Sequence, residues 1–263
     1  MAGFAPIKTV FITGAAQGIG LATAKHFASL GYLVGLYDIN VQAVRSLAAS
    51  SELAGACHGL CDVTDRKSVE QALAHFAGVT GGRLDVLVNN AGTLAHGDFQ
   101  SINPEEQDLM IDVNVRGLTQ VAQAAFPLLR DTPNSTLVNL CSMSSVHGCP
   151  QLAVYSSTKF YVNGLTQALS LEWEPHGIRV TCVKPPVVQT AMGERVNAGY
   201  GDTKAAEMTP ETVAKAIEHA VTGDKESYVL GAGGKAWYWL DRLLPQRAGR
   251  ALTRRLVGRK ASQ

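Results

Sequence analysis

The chain alternates short runs of β-branched and other apolar residues with longer stretches whose apolar positions recur at helical spacing. The runs "KTVFITG", "LVGLYD", "LDVLVNNAG", "STLVNLCS" and "IRVTCVKP" read as strands. Helical patterns fill residues 21–30, 41–50, about 105–129 and about 153–175. Strands apolar along nearly their whole length are buried on both faces, which calls for a parallel sheet with helices on either side. Right-handed crossovers then give an α/β fold, a single-domain Rossmann-like doubly wound sheet. Ligands bind such sheets beyond the carboxyl ends of the strands, so the residues just after each strand are the candidate site.

Those strand ends hold the glycine-rich and polar clusters. After the first strand comes "TGAAQGIG", where Gly14, Gly18 and Gly20 open a helix, with Gln17 and Ile19 between them. Glycines permit the tight turn and let backbone amides approach a pyrophosphate, which the helix amino terminus favours. Close packing of helix on strand would explain the same glycines. Asp38 ends the second strand 18 residues beyond the last of them, where a carboxylate accepts hydrogen bonds from ribose hydroxyls. It would repel a ribose 2′-phosphate, and Tyr37, Ile39 and Gln17 offer no compensating cation. The expected cofactor is therefore NAD, with Arg45 the residue best able to upset that reading and helix capping the structural alternative for Asp38.

Composition narrows the picture further. The chain has 263 residues, 46% of them apolar and few aromatic, in keeping with a single α/β domain. A formal net charge of +1 gives no global pull toward nucleic acid. No stretch reaches the roughly 18 apolar residues of a membrane span, and "MAGFAPIK" runs directly into a strand pattern, so a soluble, cytoplasmic protein is expected. Cys57, Cys61, Cys141, Cys149 and Cys182 form no CxxC or Cys/His metal spacing and read as small buried thiols. The seven histidines show no HExxH arrangement, so no catalytic metal is expected.

In "AVYSSTKFY", Tyr155 and Lys159 stand four positions apart and so share a helix face. Alone, such a pair is equally a pair of surface neighbours. Taken with the rest of the chain, it resembles the short-chain dehydrogenase/reductase family. The glycine spacing is TGxxxGxG; "CDVTD" at 61–65, with Asp62 and Val63, is similar to the adenine-pocket segment; "NNAG" at 89–92, with Asn89, Ala91 and Gly92, matches the central-strand motif. "DVNVRG" supplies Asn114, "LCSMSS" supplies Ser142, and Ser142 precedes Tyr155 by the usual 13 residues.

The resemblance implies that Tyr155 is the acid/base, that Ser142 hydrogen-bonds the substrate oxygen, that Lys159 also holds the nicotinamide ribose, and that Asn114 positions a proton-relaying water. A phenol of ordinary pKa, about 10, is a poor base at neutral pH; Lys159 and NAD⁺ are both expected to lower it. Asn114 and Asn89 also admit structural readings, as braces of a helix irregularity and of the sheet, and Ser144 or Ser145 could replace Ser142 as donor. Beyond the strand "IRVTCVKP" the family usually has Pro-Gly, whereas "KPPVVQT" places Pro186 at the glycine position, which stiffens the loop. Val188 and Thr190 still match the nicotinamide-binding positions.

Residues 191–208, with Gly193, Gly199 and Gly201, fall where a substrate lid is expected, and Thr209 and Pro210 start the next helix. Leu94, His96, Met143, His147, Cys149, Val187 and Met192 are the expected pocket walls, with His147 equally readable as a core histidine. These walls suit a moderately lipophilic alcohol or ketone, such as a steroid or retinoid. The dehydrogenase domain is expected to end near 232. Residues 233–263 then form a basic amphipathic extension, either in contact with a membrane surface or solvated. Related proteins pair through the helices bearing Asn114 and Tyr155, so a homodimer or homotetramer is expected, and "LTQVAQAAFPLL" fits either that interface or the core. The leading expectation is an NAD-dependent alcohol dehydrogenase or ketoreductase. An NAD-binding regulator, a dehydrogenase of a small polar alcohol and a cofactor-free lyase stand as alternatives on the same scaffold.

Overall fold

The computed structural model describes residues 6–200 and 208–257. Along the chain run β1 (Thr9–Thr13), α1 (Gly18–Ser29), β2 (Leu33–Asp38), α2 (Val41–Ala48), β3 (Cys57–Leu60), α3 (Arg66–Thr80) and β4 (Val86–Asn89). The second half carries α4 (Pro104–Ile111), α5 (Leu118–Asp131), β5 (Thr136–Leu140), α6 (Ala153–Glu172), β6 (Arg179–Lys184), α7 (Ala191–Tyr200), α8 (Pro210–Thr222) and β7 (Ser227–Val229). Two further helices, α9 (Ala232–Leu243) and α10 (Gln246–Val257), follow.

The strands form one parallel sheet in the order β3-β2-β1-β4-β5-β6-β7. Strand order reverses between β1 and β4, which opens a crevice beyond their carboxyl ends. Alternate strand residues supply two cores, one on each face. Val10, Ile12, Leu36, Val88 and Val138 pack against Phe27 of α1 and Val213 and Ile217 of α8. Phe11, Tyr37, Leu87 and Leu137 pack against Phe76 of α3 and Val121, Ala125 and Leu129 of α5. The stripe "LTQVAQAAFPLL" is therefore core along its buried edge. Burial pushes the Tyr37 phenol far up, and its hydroxyl meets His75 Nδ1 at 2.8 Å inside this layer.

Three elements went unread in the sequence: β3, β7 and α3. The helix expected over about 105–129 is interrupted. Between α4 and α5 the chain makes a π turn, Asp112–Gly117, and the inserted residue rotates Asn114 into the protein. Thr209 caps α8 as expected, its hydroxyl accepting from the Thr212 amide at 3.3 Å, with Pro210 in the first turn.

Candidate active site

At the reversal point the chain leaves β1 through Gly14, whose φ of +65° is a left-handed conformation. A side chain on Gly20 would collide with the Gly14 carbonyl, so Gly20 lets α1 start directly against the turn. The turn is pinned from the neighbouring strand. Asn90 Nδ2 donates to the carbonyls of Thr13 at 2.9 Å and Gly14 at 3.0 Å, and the Thr13 hydroxyl accepts from the Asn90 and Ala91 amides at 3.0 Å each. From β2, Asp38 accepts from the Ala16 amide at 2.9 Å with one oxygen and from the Asn40 amide at 2.9 Å with the other. The carboxylate thus braces the glycine turn from the end of β2.

Past β5, Ser142 accepts from the Ser144 amide at 3.1 Å and its hydroxyl lies against Tyr155. Tyr155 and Lys159 project from successive turns of α6, with the ammonium 5.6 Å from the centre of the tyrosine ring. Lys159 Nζ donates to the Leu140 carbonyl at 2.9 Å, so the end of β5 fixes the lysine and leaves two of its three N–H donors for other partners. Burial pushes the Tyr155 phenol up to about 12; the Ser142 contact pulls the other way and is outweighed. The expected depression of this pKa is therefore reversed in the protein alone. Lys159 is directed at Leu140, and burial lowers its own pKa.

These groups line one continuous cleft of about 1680 Å³. That exceeds the upper end of single-ligand pockets, roughly 1,000 Å³, and accommodates a dinucleotide and a second molecule together. Gly14, Gln17, Gly18, Ile19, Asp38, Asp62, Val63, Ala91, Gly92, Val188 and Thr190 face it at one end, Ser142, Tyr155 and Lys159 at its middle. Leu94, Met143, Cys149, Val187 and Met192 face it at the other. The cradle fits a nicotinamide dinucleotide: Gly14 and Gly18 both adopt left-handed φ at the turn, and a Cβ on Gly92 would press to 3.3 Å from Asn114 Oδ1 beside Lys159 Nζ.

Several expected site residues lie elsewhere. Gly20 supports the turn from behind. Asn89 is buried, its amide donating to the Leu118 carbonyl at 2.9 Å, so it braces sheet against α5. Asn114 is likewise buried, donating to Thr93 O at 2.9 Å and Thr158 Oγ1 at 3.1 Å and accepting from the Thr93 amide at 2.8 Å. Its side chain is engaged in holding the β4 loop. His96 does not line the cleft, and burial lowers its pKa. His147 is turned away and pairs through Nδ1 with Asp241 of α9 at 2.8 Å. Arg45 is also outside the cleft; besides Lys159, Lys25 lines it, held by Glu52 at 2.6 Å.

The sequence reading missed Asn90 and the far wall. Val196 of α7, Gly231 to Gly234 and Trp237 of α9 all line the apolar end. Met208 is tied to the other side of that end, its amide donating to Val187 O at 3.2 Å and its carbonyl accepting from Gln189 N at 2.9 Å. Of the expected lid, α7 accounts for Ala191–Tyr200, and Gly201 lies outside the described residues. All five cysteines are buried and unpaired. Among the described residues no cluster of His, Cys, Asp or Glu could hold a metal ion, and no helix is long and apolar enough to cross a membrane.

A doubly wound sheet whose reversal point carries a glycine cradle, a rim carboxylate and a buried Ser-Tyr-Lys group defines a dinucleotide-binding oxidoreductase. The chain belongs to the short chain dehydrogenase family, whose model matches residues 8–201, and the family binds a nicotinamide cofactor. It is 37% identical over 218 residues to the oxidoreductase UcpA of Salmonella typhimurium, covering 80% of each chain. Among solved structures it is similar to the 3-ketoacyl-(acyl-carrier-protein) reductase of Brucella melitensis complexed with NADH, at 25% identity and TM-score 0.77, covering 85% of this chain and 96% of that one. It is also similar to an alcohol dehydrogenase from the archaeon Thermococcus sibiricus complexed with 5-hydroxy-NADP, at 26% identity and TM-score 0.75, with the same coverage.

Proposed function

We propose that this oxidoreductase is NAD-dependent and interconverts a secondary alcohol and its ketone on a moderately lipophilic molecule of the steroid, retinoid or long aliphatic carbonyl class. The observation that carries the reading is the position of Ser142, Tyr155 and Lys159 at the junction between the glycine cradle and an apolar chamber walled by Leu94, Met143, Val187, Met192 and Trp237. NAD⁺, when bound, supplies the hydride acceptor. Tyr155 takes the hydroxyl proton of the alcohol, or returns it to the ketone oxygen. Ser142 donates a hydrogen bond to that oxygen and stabilises its changing charge. Lys159, fixed by Leu140, directs its remaining donors toward the nicotinamide ribose and the phenol, and its charge favours phenolate. With the Asn114 side chain engaged by Thr93 and Thr158, its contribution to proton relay is to keep the β4 loop and α6 in register beside Lys159.

Asp38 supports NAD over NADP. Its carboxylate would repel an added 2′-phosphate, and Lys25, a cation of the same cleft, is already matched by Glu52. The test is cofactor reduction with hydroxysteroids, retinol and simple secondary alcohols, run with NAD⁺ and NADP⁺ in parallel. Turnover with NAD⁺ on a lipophilic compound is expected, falling by roughly 10³-fold or more in Tyr155→Phe. Turnover confined to NADP⁺ would overturn the cofactor assignment. NAD binding without turnover on any alcohol would favour a regulatory role instead.

A further inference from the structure

We propose that α9 and α10 form a docking surface for an anionic lipid bilayer, one that sets the apolar end of the cleft against the membrane. The charge distribution points to the partner. Residues 232–263 hold eight Lys or Arg and one acid, Asp241, a net +7; the whole chain carries +1, so the preceding 231 residues carry −6. The basic excess is therefore confined to one end of an otherwise acidic molecule. Asp241 is itself engaged by His147, which removes the segment's one acid from competition with lipid phosphates.

The two faces of α9 carry the argument further. Gly234, Trp237, Tyr238 and Asp241 recur at helical spacing and face the protein: Gly234 lies against Met143, Trp237 lines the cleft, Tyr238 lies under Lys184 at 5.3 Å, and Asp241 meets His147. Ala236, Trp239, Leu240 and Leu243 recur at the same spacing on the opposite face. That face is apolar yet turned outward, with Trp239 59%, Leu240 44% and Leu243 78% exposed. A helix needing one apolar stripe to pack has two, and the second is bordered by Lys235 and Arg242. Beyond Pro245, Arg247, Arg250 and Arg254 are all exposed on one side of α10. A tryptophan and two leucines flanked by arginines is the composition of a helix lying in the headgroup plane. Because Trp237 is on the inner face of the same helix, docking places the apolar chamber within a helix diameter of the lipid, about 10 Å. The delivery of lipophilic substrate from the bilayer rests on the oxidoreductase reading; the docking itself does not.

The test sediments the full-length protein with vesicles of phosphatidylcholine alone or phosphatidylcholine with phosphatidylserine. Co-sedimentation with the anionic vesicles only, weakened by added salt, is expected. R247E/R250E/R254E should lower partitioning by roughly 100-fold, and W239S/L243S should lower it comparably while leaving turnover of a water-soluble alcohol unchanged. Equal recovery with and without anionic lipid would overturn the proposal. So would a change of W239S/L243S to a smaller species in size-exclusion chromatography, which would assign the face to a second copy of the chain. Vesicle binding is read without turnover, so an inactive but membrane-bound protein would refute the function and leave the docking standing.

Discussion

Tyr155 is a phenol under opposed influences, and the balance sets the direction of its chemistry. In the protein alone burial dominates and pushes it up to about 12, so at neutral pH it holds its proton, the form that the proposed mechanism needs for ketone reduction. Accepting a proton from an alcohol requires phenolate, which the positive nicotinamide ring and Lys159 favour. A tyrosinate titration, with Tyr155→Phe as the blank, should therefore show a midpoint near 12 without cofactor and a lower one with NAD⁺. The uncharged ring of NADH should move it less. The sign follows for turnover: alcohol oxidation rises with pH through the lowered pKa, and ketone reduction falls. An unchanged midpoint with NAD⁺ would remove the cofactor's charge from the mechanism. Asp38 makes the second residue-scale prediction. Asp38→Asn loses one brace of the glycine turn for both cofactors, so the informative quantity is the ratio of kcat/KM for NAD⁺ to that for NADP⁺, expected to drop by roughly 10- to 100-fold.

Among the elements, β1 and β4 are joined at the end remote from the cleft by Asp85. This buried carboxylate accepts from the Thr9 amide at 2.8 Å, from Thr9 Oγ1 at 3.1 Å and from two nitrogens of Arg83. Asp85→Ala strands a buried amide and a half-buried guanidinium, at a cost of about 3 kcal/mol, seen as a lower urea midpoint with an unchanged m-value. Elements with strong local signals were legible: β1, β2, β5 and β6 are apolar runs, and the glycine turn, the Ser-Tyr interval and the cap at Thr209 are short-range patterns. β3, Cys57–Leu60, carries a histidine and a glycine at the sheet edge, and β7 is three residues long, so pairing with a neighbour rather than composition makes them strands. His96 lies outside the cleft, and His147 takes its core alternative. His147 turns to Asp241, 94 residues away, a partner no local pattern announces. Trp237, part of the amphipathic extension, likewise reaches the cleft through packing that no local pattern announces.

At the scale of the whole molecule, two apolar, outward-facing surfaces stand out among the described residues. One is the outer side of α9. The other lies on α6 and the end of α4, where Phe160 is 43%, Leu171 72% and Ile111 43% exposed. The α6 face is the expected seat of self-association, and Phe160→Glu with Leu171→Glu should shift the protein to a smaller species in light scattering while its thermal midpoint measured at high dilution stays put. The two faces sit on different elements, so assembly through one leaves the other open. The roof of the cleft has its own consequence. The family's shared stretch, residues 8–201, contains Ser142, Tyr155 and Lys159, the groups proposed to handle the proton, together with the cleft walls Leu94, Met143, Val187 and Met192, whereas Gly231 to Gly234 and Trp237 come after it. One wall of the cleft's apolar end is thus written on a length of chain separate from the proposed chemistry. Recombination within the last few dozen codons can remodel that wall while leaving Ser142, Tyr155 and Lys159 in place.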